Sequence, residues 1–202
     1  MTKIRRVPTQ SRSREKYDKI IQTARELIGN KGNDSVSMRE ISKDSGVALA
    51  SIYQYFPDKN AILQAIMESL FEQVRTTIIV ALDNCKDISE LIERVSQGVN
   101  IYYAMFKNDP VLAILWAGLQ ANPKLMELDT QDSIKNADIV CEKICSIIGN
   151  ENKTEISDAS LLLINMMGST IRLALTLPDK EGARIIEEAK KLIVMRMRPY
   201  ES

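Results

Sequence analysis

Residues 37–63 read SMREISKDSGVALASIYQYFPDKNAIL and hold two short helical patterns with a glycine between them. Ser37 precedes the first pattern and Glu40 follows three residues later, so side chain and backbone can satisfy each other's free amides as a capping box. A short helix is therefore expected from about Met38, with Met38, Ile41 and Ser42 on one face at i, i+3, i+4 spacing. Gly46 ends it, because glycine enters the left-handed backbone region without steric cost and lets the chain turn within three or four residues. Val47 is expected in the angle between the helices. The second helix, expected from Ala48 to Phe56, turns Ile52 and Phe56 inward at i, i+4. It leaves Leu49, Ser51, Gln54 and the hydroxyls of Tyr53 and Tyr55 on other faces. Pro57 closes it, and Asp58 is placed as the N-cap of a long helix opening with Lys59 and Asn60. Two short helices about a glycine turn have the form of a helix-turn-helix, whose second helix enters a DNA groove.

Charge points to the same partner. The chain carries 27 Lys/Arg and 27 Asp/Glu, and this balance conceals two opposed parts. Residues 1–60 hold twelve basic and seven acidic side chains, net +5, whereas the remaining 142 hold fifteen and twenty, net −5. Among the first sixteen residues Lys3, Arg5, Arg6, Arg12, Arg14 and Lys16 meet only Glu15. Such an arm can track phosphates or enter a minor groove, and a solvated terminus is the other reading. No apolar segment of secretory length follows it, so no targeting signal is expected.

The motif resembles the DNA-binding domain of the TetR family of repressors. That family's pattern runs Thr, three residues, Ile-Ala, then Ala-Gly-Val-Ser, then a helix ending in Leu-Tyr-x-Tyr/His-Phe, with Lys one turn later. Here Ser37, Ile41-Ser42, Ser45-Gly46-Val47-Ala48, Ile52-Tyr53-Gln54-Tyr55-Phe56 and Lys59 stand in that register without a gap, over about a quarter of the chain. Two positions depart from it. Ala48 stands where the family has a capping serine, a loss of about 1 kcal/mol and of one phosphate contact. Ala50 replaces a frequent glycine.

The resemblance implies an all-α fold with a helix-turn-helix DNA-binding domain of three helices in residues 1–57 and a helical ligand-binding and dimerisation domain in residues 58–202. It implies phosphate contacts from Ser37, Tyr53, Tyr55 and Lys59, with Leu49, Ser51 and Gln54 facing base edges. Side-chain chemistry agrees, since glutamine pairs with adenine, serine serves either base and leucine meets a thymine methyl. Tyr53 and Tyr55 have a second reading, as core aromatics beside Phe56, although residues two apart on a helix do not share one face.

Outside the motif the apolar periodicity is helical and strand signals are nearly absent. A helix over about 12–30 carries Tyr17, Ile20, Ile21, Ala24, Leu27 and Ile28 on one face and should lie across the two reading helices. The GNKG stretch after it lacks the preceding strand and the Gly-Lys-Ser/Thr ending of a phosphate loop. Further helices are expected at about 59–84, 89–107, 110–121, 124–148, 155–177 and 180–197, nine in all, with breaks at Asn108-Asp109-Pro110, Asn122-Pro123, Gly149-Asn150 and Pro178-Asp179. No segment is expected to span a membrane, because Asn165, Ser169, Thr170 and Arg172 interrupt the most apolar run.

Residues 161–177 are apolar on nearly all sides, which requires burial against more than one neighbour. One reading makes the second neighbour another subunit, approached closely at Gly168, with Ile186, Ala189, Ile193 and Met197 of the last helix beside it. The resembling family forms its homodimer in this way, and a palindromic operator requires a two-fold dimer. The other reading keeps both helices internal. In the middle of the chain Phe71, Tyr102, Tyr103, Phe106 and Trp116, with Gln120, Asn165 and Met166, are candidates for lining a small-molecule site, and Met105, Met126, Met167, Asn100 and Arg172 could add to it. Plain core is the alternative for each. The ligand would be apolar or amphipathic.

Enzyme chemistry is largely excluded. The chain has no histidine, which removes Ser-His and Cys-His nucleophile systems and histidine metal sites. Cys141 and Cys145 are one helical turn apart and Cys85 has no evident partner, so buried reduced thiols in a cytoplasmic protein are expected. No cofactor and no metal are expected. The reading is a cytoplasmic, ligand-responsive repressor that binds a palindromic operator as a dimer. The alternative is a DNA-binding architectural or cell-division protein of the same fold without an inducer.

Overall fold

A computed structural model describes residues 11–119 and 122–200. Among them are nine α-helices and no strand: α1 (Ser11–Lys31), α2 (Met38–Ser45), α3 (Leu49–Tyr55), α4 (Lys59–Leu82), α5 (Ile88–Asn108), α6 (Pro110–Leu119), α7 (Pro123–Ile148), α8 (Lys153–Thr176) and α9 (Asp179–Met197). A 3₁₀ turn, Arg198–Tyr200, follows α9. The basic side chains at Lys3, Arg5 and Arg6, and the candidate Gln120, lie outside the described residues.

Local signals account for the boundaries. Ser37 accepts the Glu40 amide at 3.3 Å to open α2, Asp58 accepts the Ala61 amide at 2.9 Å to open α4, and Asp87 accepts the Glu90 amide at 2.8 Å to open α5. Gly46 ends α2 with φ +66°, in the left-handed region. Helix α3 is shorter than the expected 48–56 by one residue at each end. Ala48 has no side chain with which to cap it, and Phe56 is already extended at φ −127°.

The chain divides into two compact units. The first comprises the described residues of Met1–Phe71 and Pro110–Asn122. Here α1 lies against α2, α3 and α6, around a core of Ile20, Ala24, Ile28, Ile41, Ile52, Phe56, Ile62 and Ile66. Gly29 permits the approach of α6, because a Cβ there would stand 2.9 Å from Val111. The second unit comprises Glu72–Asp109 and Pro123–Ser202, in which α8 is sandwiched between α7 and α9 and α5 closes on α9. This division falls inside α4, whereas the sequence places one at residue 57.

Two expectations need correction in the second unit. Ile186, Ala189, Ile193 and Met197, read as a subunit-facing stripe, are 2–8% exposed within the single chain. They are the most regular apolar stripe of α9, and that stripe covers the chain's own α8 and α5. The apolar side chains that α9 leaves outside are Leu192 and Met195, and on α8 they are Leu161, Leu162, Met166 and Leu173. Gly168 is buried too, facing inward. Second, α8 is long and apolar enough to cross a membrane by length and composition, at a mean hydropathy of 1.3 over eighteen residues. Asn165, Ser169, Thr170 and Arg172 do not offset its leucines and methionines. Only 28% of that window is buried, so α8 carries more apolar surface than this chain covers.

Candidate functional site

The helix-turn-helix is stapled by serines. Ser42 Oγ donates to the Val47 carbonyl at 2.8 Å, and the Val47 amide donates to Ser45 Oγ at 3.2 Å, so both backbone polar groups of the buried Val47 are satisfied. At the start of α3, the Ala48 carbonyl accepts from the Ser51 and Ile52 amides at 2.8 and 3.1 Å. Ile52 is fully buried against the first unit's core, which fixes the rotation of α3. That rotation leaves Tyr53, at 42% exposure, and Gln54 outside, with Leu49 and Ser51 half-buried beside them. These four side chains form a mixed polar and apolar face of the kind that reads base edges in a major groove.

The four phosphate candidates are placed differently from one another. Ser37 is exposed, with its hydroxyl oxygen engaged as the cap of α2. Tyr53 projects outward. Tyr55 is half-buried: its hydroxyl shares a hydrogen bond with Ser13 Oγ at 2.8 Å, and its ring meets Tyr17 edge-on at 6.2 Å between centroids. Lys59 donates from Nζ to the Asn33 carbonyl at 2.7 Å, tying the loop before α2 to the start of α4. Both partners are remote in sequence, and no local pattern announces them. A further cation lies near the turn, where Lys19 Nζ stands 3.9 Å from the place a Cβ of Gly46 would take. Lys31 pairs with Glu40, and this contact holds the Glu40 carboxyl below its usual range.

The ligand candidates are divided between the two units. Phe71 and Trp116 belong to the first unit and Tyr102, Tyr103, Phe106, Asn165 and Met166 to the second. Tyr102 and Phe106 meet edge to face at 5.1 Å, Phe106 is fully buried, and Tyr103 approaches Gly182 of α9. Asn165 and Met166 point outward on the uncovered face of α8. A cavity of about 100 Å³ in the second unit is lined by none of the eight.

A polar cluster escaped the sequence reading. Asp132, buried on α7, pairs with Arg75 of α4 and accepts Asn136 Nδ2 at 2.8 Å. Burial pushes the Asp132 and Asp129 carboxyls above the usual carboxylate range, against the pull of Arg75 on the first and Arg172 on the second. Burial likewise raises the Tyr102 phenol. The signal that could have exposed this was positional: Leu125, Asp132 and Asn136 share one face of α7, so two polar residues occupy core positions. All three cysteines are free and buried.

Two family models match. Residues 20–66 match "Bacterial regulatory proteins, tetR family" and residues 89–198 match "Tetracyclin repressor-like, C-terminal domain". Among curated proteins, an uncharacterized HTH-type transcriptional regulator of Bacillus subtilis, YvdT, is 29% identical over 115 residues, 57% of this chain and 58% of that protein. A nucleoid occlusion factor of Vibrio campbellii, SlmA, is 24% identical over 109 residues, 54% of each. The chain therefore spans somewhat over half the length of these relatives. Among solved structures, the fatty acid degradation regulator FadR of Bacillus halodurans superimposes with a TM-score of 0.69 at 20% identity, over 89% of this chain and 94% of that one.

Proposed function

Because the chain belongs to the TetR family of bacterial regulators, we propose that it is a repressor that binds a palindromic operator as a dimer and is released by a small amphipathic molecule. The observation that carries the reading is the outward face of α3, with Tyr53, Gln54, Leu49 and Ser51 beside a capped and stapled turn. Tyr53 and Lys59 hold phosphates, Gln54 and Ser51 read base edges, and Leu49 meets a thymine methyl. Ser37 and Tyr55 also stand in the phosphate set, each with its oxygen shared with the protein. The basic residues before α1 follow the backbone of the duplex. Such a protein works in the cytoplasm without a cofactor.

Release runs through α4, which continues unbroken from Lys59 beside the reading helices to Leu82 in the second unit. A ligand that prefers one placement of α4 alters the separation of two recognition helices, and DNA accepts only about 34–36 Å between half-sites one turn apart. Reversing the balance from bound to free takes a preference of several kcal/mol. The second unit offers polar anchors for such a ligand: Arg75 Nε and Asn136 Oδ1 are buried without a partner among the described residues, a donor and an acceptor beside Asp132.

Likeness to a nucleoid occlusion factor favours a second reading, an architectural DNA-binding protein without an inducer. One experiment separates them. Fluorescence anisotropy is measured on duplexes tiling the region upstream of the protein's own gene, at two salt concentrations. The repressor reading expects tight, salt-sensitive binding to one palindromic tile; equal binding to all tiles supports the architectural one. Across the tiles, Tyr53→Ala and Lys59→Ala should weaken binding to every sequence and flatten the salt slope, while Gln54→Ala should change sequence preference. Identical behaviour of the three would refute the sorting of contacts.

A further inference from the structure

Asp132 of α7 has a different partner on each oxygen. Its Oδ1 accepts from Arg75 Nη2 of α4, and its Oδ2 accepts at 2.8 Å from Nδ2 of Asn136, one turn along α7. The same buried cluster keeps an acceptor in reserve, because Asn136 is 4% exposed and its Oδ1 receives no donor among the described residues. Turning the amide over would not fill that place, since its oxygen would then face the Asp132 carboxylate. Arg75 stands one turn past the division of the chain inside α4, and its pairing with Asp132 ties α4 to α7. A second tie lies at the end of α4, where Arg94 of α5 donates to the Ala81 and Asp83 carbonyls at 3.1 and 2.6 Å. Only the first of the two depends on the charge of Asp132.

We propose that Asp132 is a proton switch on α4: ionised, it holds Arg75 through Oδ1, and protonated on that oxygen it donates to Asn136 Oδ1 and releases Arg75. One proton is taken up and only hydrogen bonds are exchanged. Asn136 Nδ2 continues to donate to Oδ2, so acid and amide close a ring of two hydrogen bonds by turning about a contact already made. The reserve acceptor thereby gains its donor, which offsets the loss of the ion pair. Arg75, once released, keeps Glu72 on its own helix at 2.8 Å. The surroundings are poised between the two forms. Arg75 from α4 and Lys135 on α7 favour the carboxylate, but burial outweighs them and pushes the carboxyl above its usual range. Asp129 on α7, Tyr102 from α5 and Arg172 from α8 complete the ionisable groups around it. This inference rests on the reading that α4 carries the state of the second unit to the reading helices, and it makes the proton an effector of that connection. An α4 freed from α7 has to be ordered again on DNA, so binding weakens as pH falls. Without the switch the opposite sign is expected, because acid makes the protein more cationic and strengthens its hold on phosphates.

The cluster is read first in the full-length protein without DNA. Between about pH 8 and about pH 4 the side-chain carboxyl resonance of Asp132 should titrate above the ordinary aspartate value of about 3.9, and the Arg75 guanidinium resonances should change with the same midpoint. In Arg75→Gln the Asp132 midpoint should rise further, because the cation that favours the carboxylate is gone. Anisotropy on the specific tile at constant ionic strength follows. Parent affinity should fall by about fivefold or more between about pH 7.5 and about pH 5, the lower end of ordinary coupling between sites. Arg75→Gln should bind weakly at both and show no such fall. Asp132→Asn should behave in the same way, and Arg75→Gln, at a partly exposed position, carries the test should the buried variant not fold. An Asp132 midpoint at or below the ordinary value, Arg75 resonances that do not follow it, or an operator affinity that is level or rises in acid would overturn the proposal. Absence of any specific tile would count against the repressor reading, and the titration without DNA would still decide whether Asp132 releases Arg75.

Discussion

Tyr55, the last residue of α3, shares a hydrogen bond of 2.8 Å with Ser13, in the first turn of α1, across 42 residues of sequence. The Tyr55 ring sits in a cluster with Tyr17 and Phe56, at 6.2 and 6.4 Å between centroids. The recognition helix is thus latched at its C-terminal end to the helix that the basic arm precedes.

The latch should be measurable as stability. A hydrogen bond of this kind contributes about 1 kcal/mol net, so Tyr55→Phe and Ser13→Ala should each lower the urea midpoint by a comparable amount. The double variant should cost little more than either alone, because both singles remove the same contact. Additive losses would show that the two hydroxyls act separately.

Position 48 allows a gain. Ala48 is the N-cap of α3, with φ −52° and ψ 135° and no side-chain bond to the helix, and it is exposed. Ala48→Ser places a hydroxyl where it can accept the Ser51 amide, and should stabilise the protein by about 1 kcal/mol in urea unfolding. Binding to duplex DNA should tighten for all sequences alike, since the added group meets a phosphate and no base edge. A change confined to one operator sequence would argue against that role.

The helix-turn-helix was legible in the sequence because everything that forms it is local: the Ser37 cap, the left-handed Gly46, the buried Ile52 and the Asp58 cap all act within four residues of their targets. The same holds for the breaks at Asp109-Pro110 and Pro178-Asp179. Contacts between distant residues left no such trace. Ser13 with Tyr55, Asn33 with Lys59 and Arg75 with Asp132 are separated by 42, 26 and 57 residues. Helix α9 shows a different limit. It carries one apolar stripe at 186, 189, 193 and 197 and a lesser one at Leu192 and Met195, and periodicity alone does not say which of the two meets the chain's own core.

The half-buried Asp129 of α7 gives a dependence on pH. Burial raises the Asp129 carboxyl above its ordinary value, so the folded protein holds its proton more tightly than the unfolded chain does. The stability this contributes is present below the unfolded pKa, about 3.9, and is lost as pH rises through the folded one. At neutral pH, therefore, the ionised Asp129 works against the fold. Asp129→Asn should raise the urea midpoint at pH 7, and the advantage should shrink toward zero as the pH approaches about 4. A variant less stable than the parent at pH 7 would mean that the attraction of Arg172 outweighs the burial.

Leu162 is 61% exposed on α8 and Met195 67% exposed on α9, on helices that pack together, while the inner stripe of α9 is already covered. Uncovered apolar side chains of this size on two neighbouring helices favour association with a second copy, through the outer face of α8 and the Leu192–Met195 edge of α9. Cutting the chain before Ser157 would test this poorly, because α7 would lose the helix that buries Ile144 and Cys145. Charge placed on the outer face is a cleaner probe. Leu162→Glu and Met195→Glu each change an exposed position and should leave helicity and the urea midpoint within about 0.5 kcal/mol of the parent. In light scattering at micromolar concentration the parent should be a dimer and the double variant a monomer, and the monomer should lose most of its affinity for a palindromic duplex while keeping weak binding to a half-site. A dimer that persists with both glutamates in place would move the interface elsewhere on the chain, and a parent that is itself monomeric would remove the two-fold operator from the proposal.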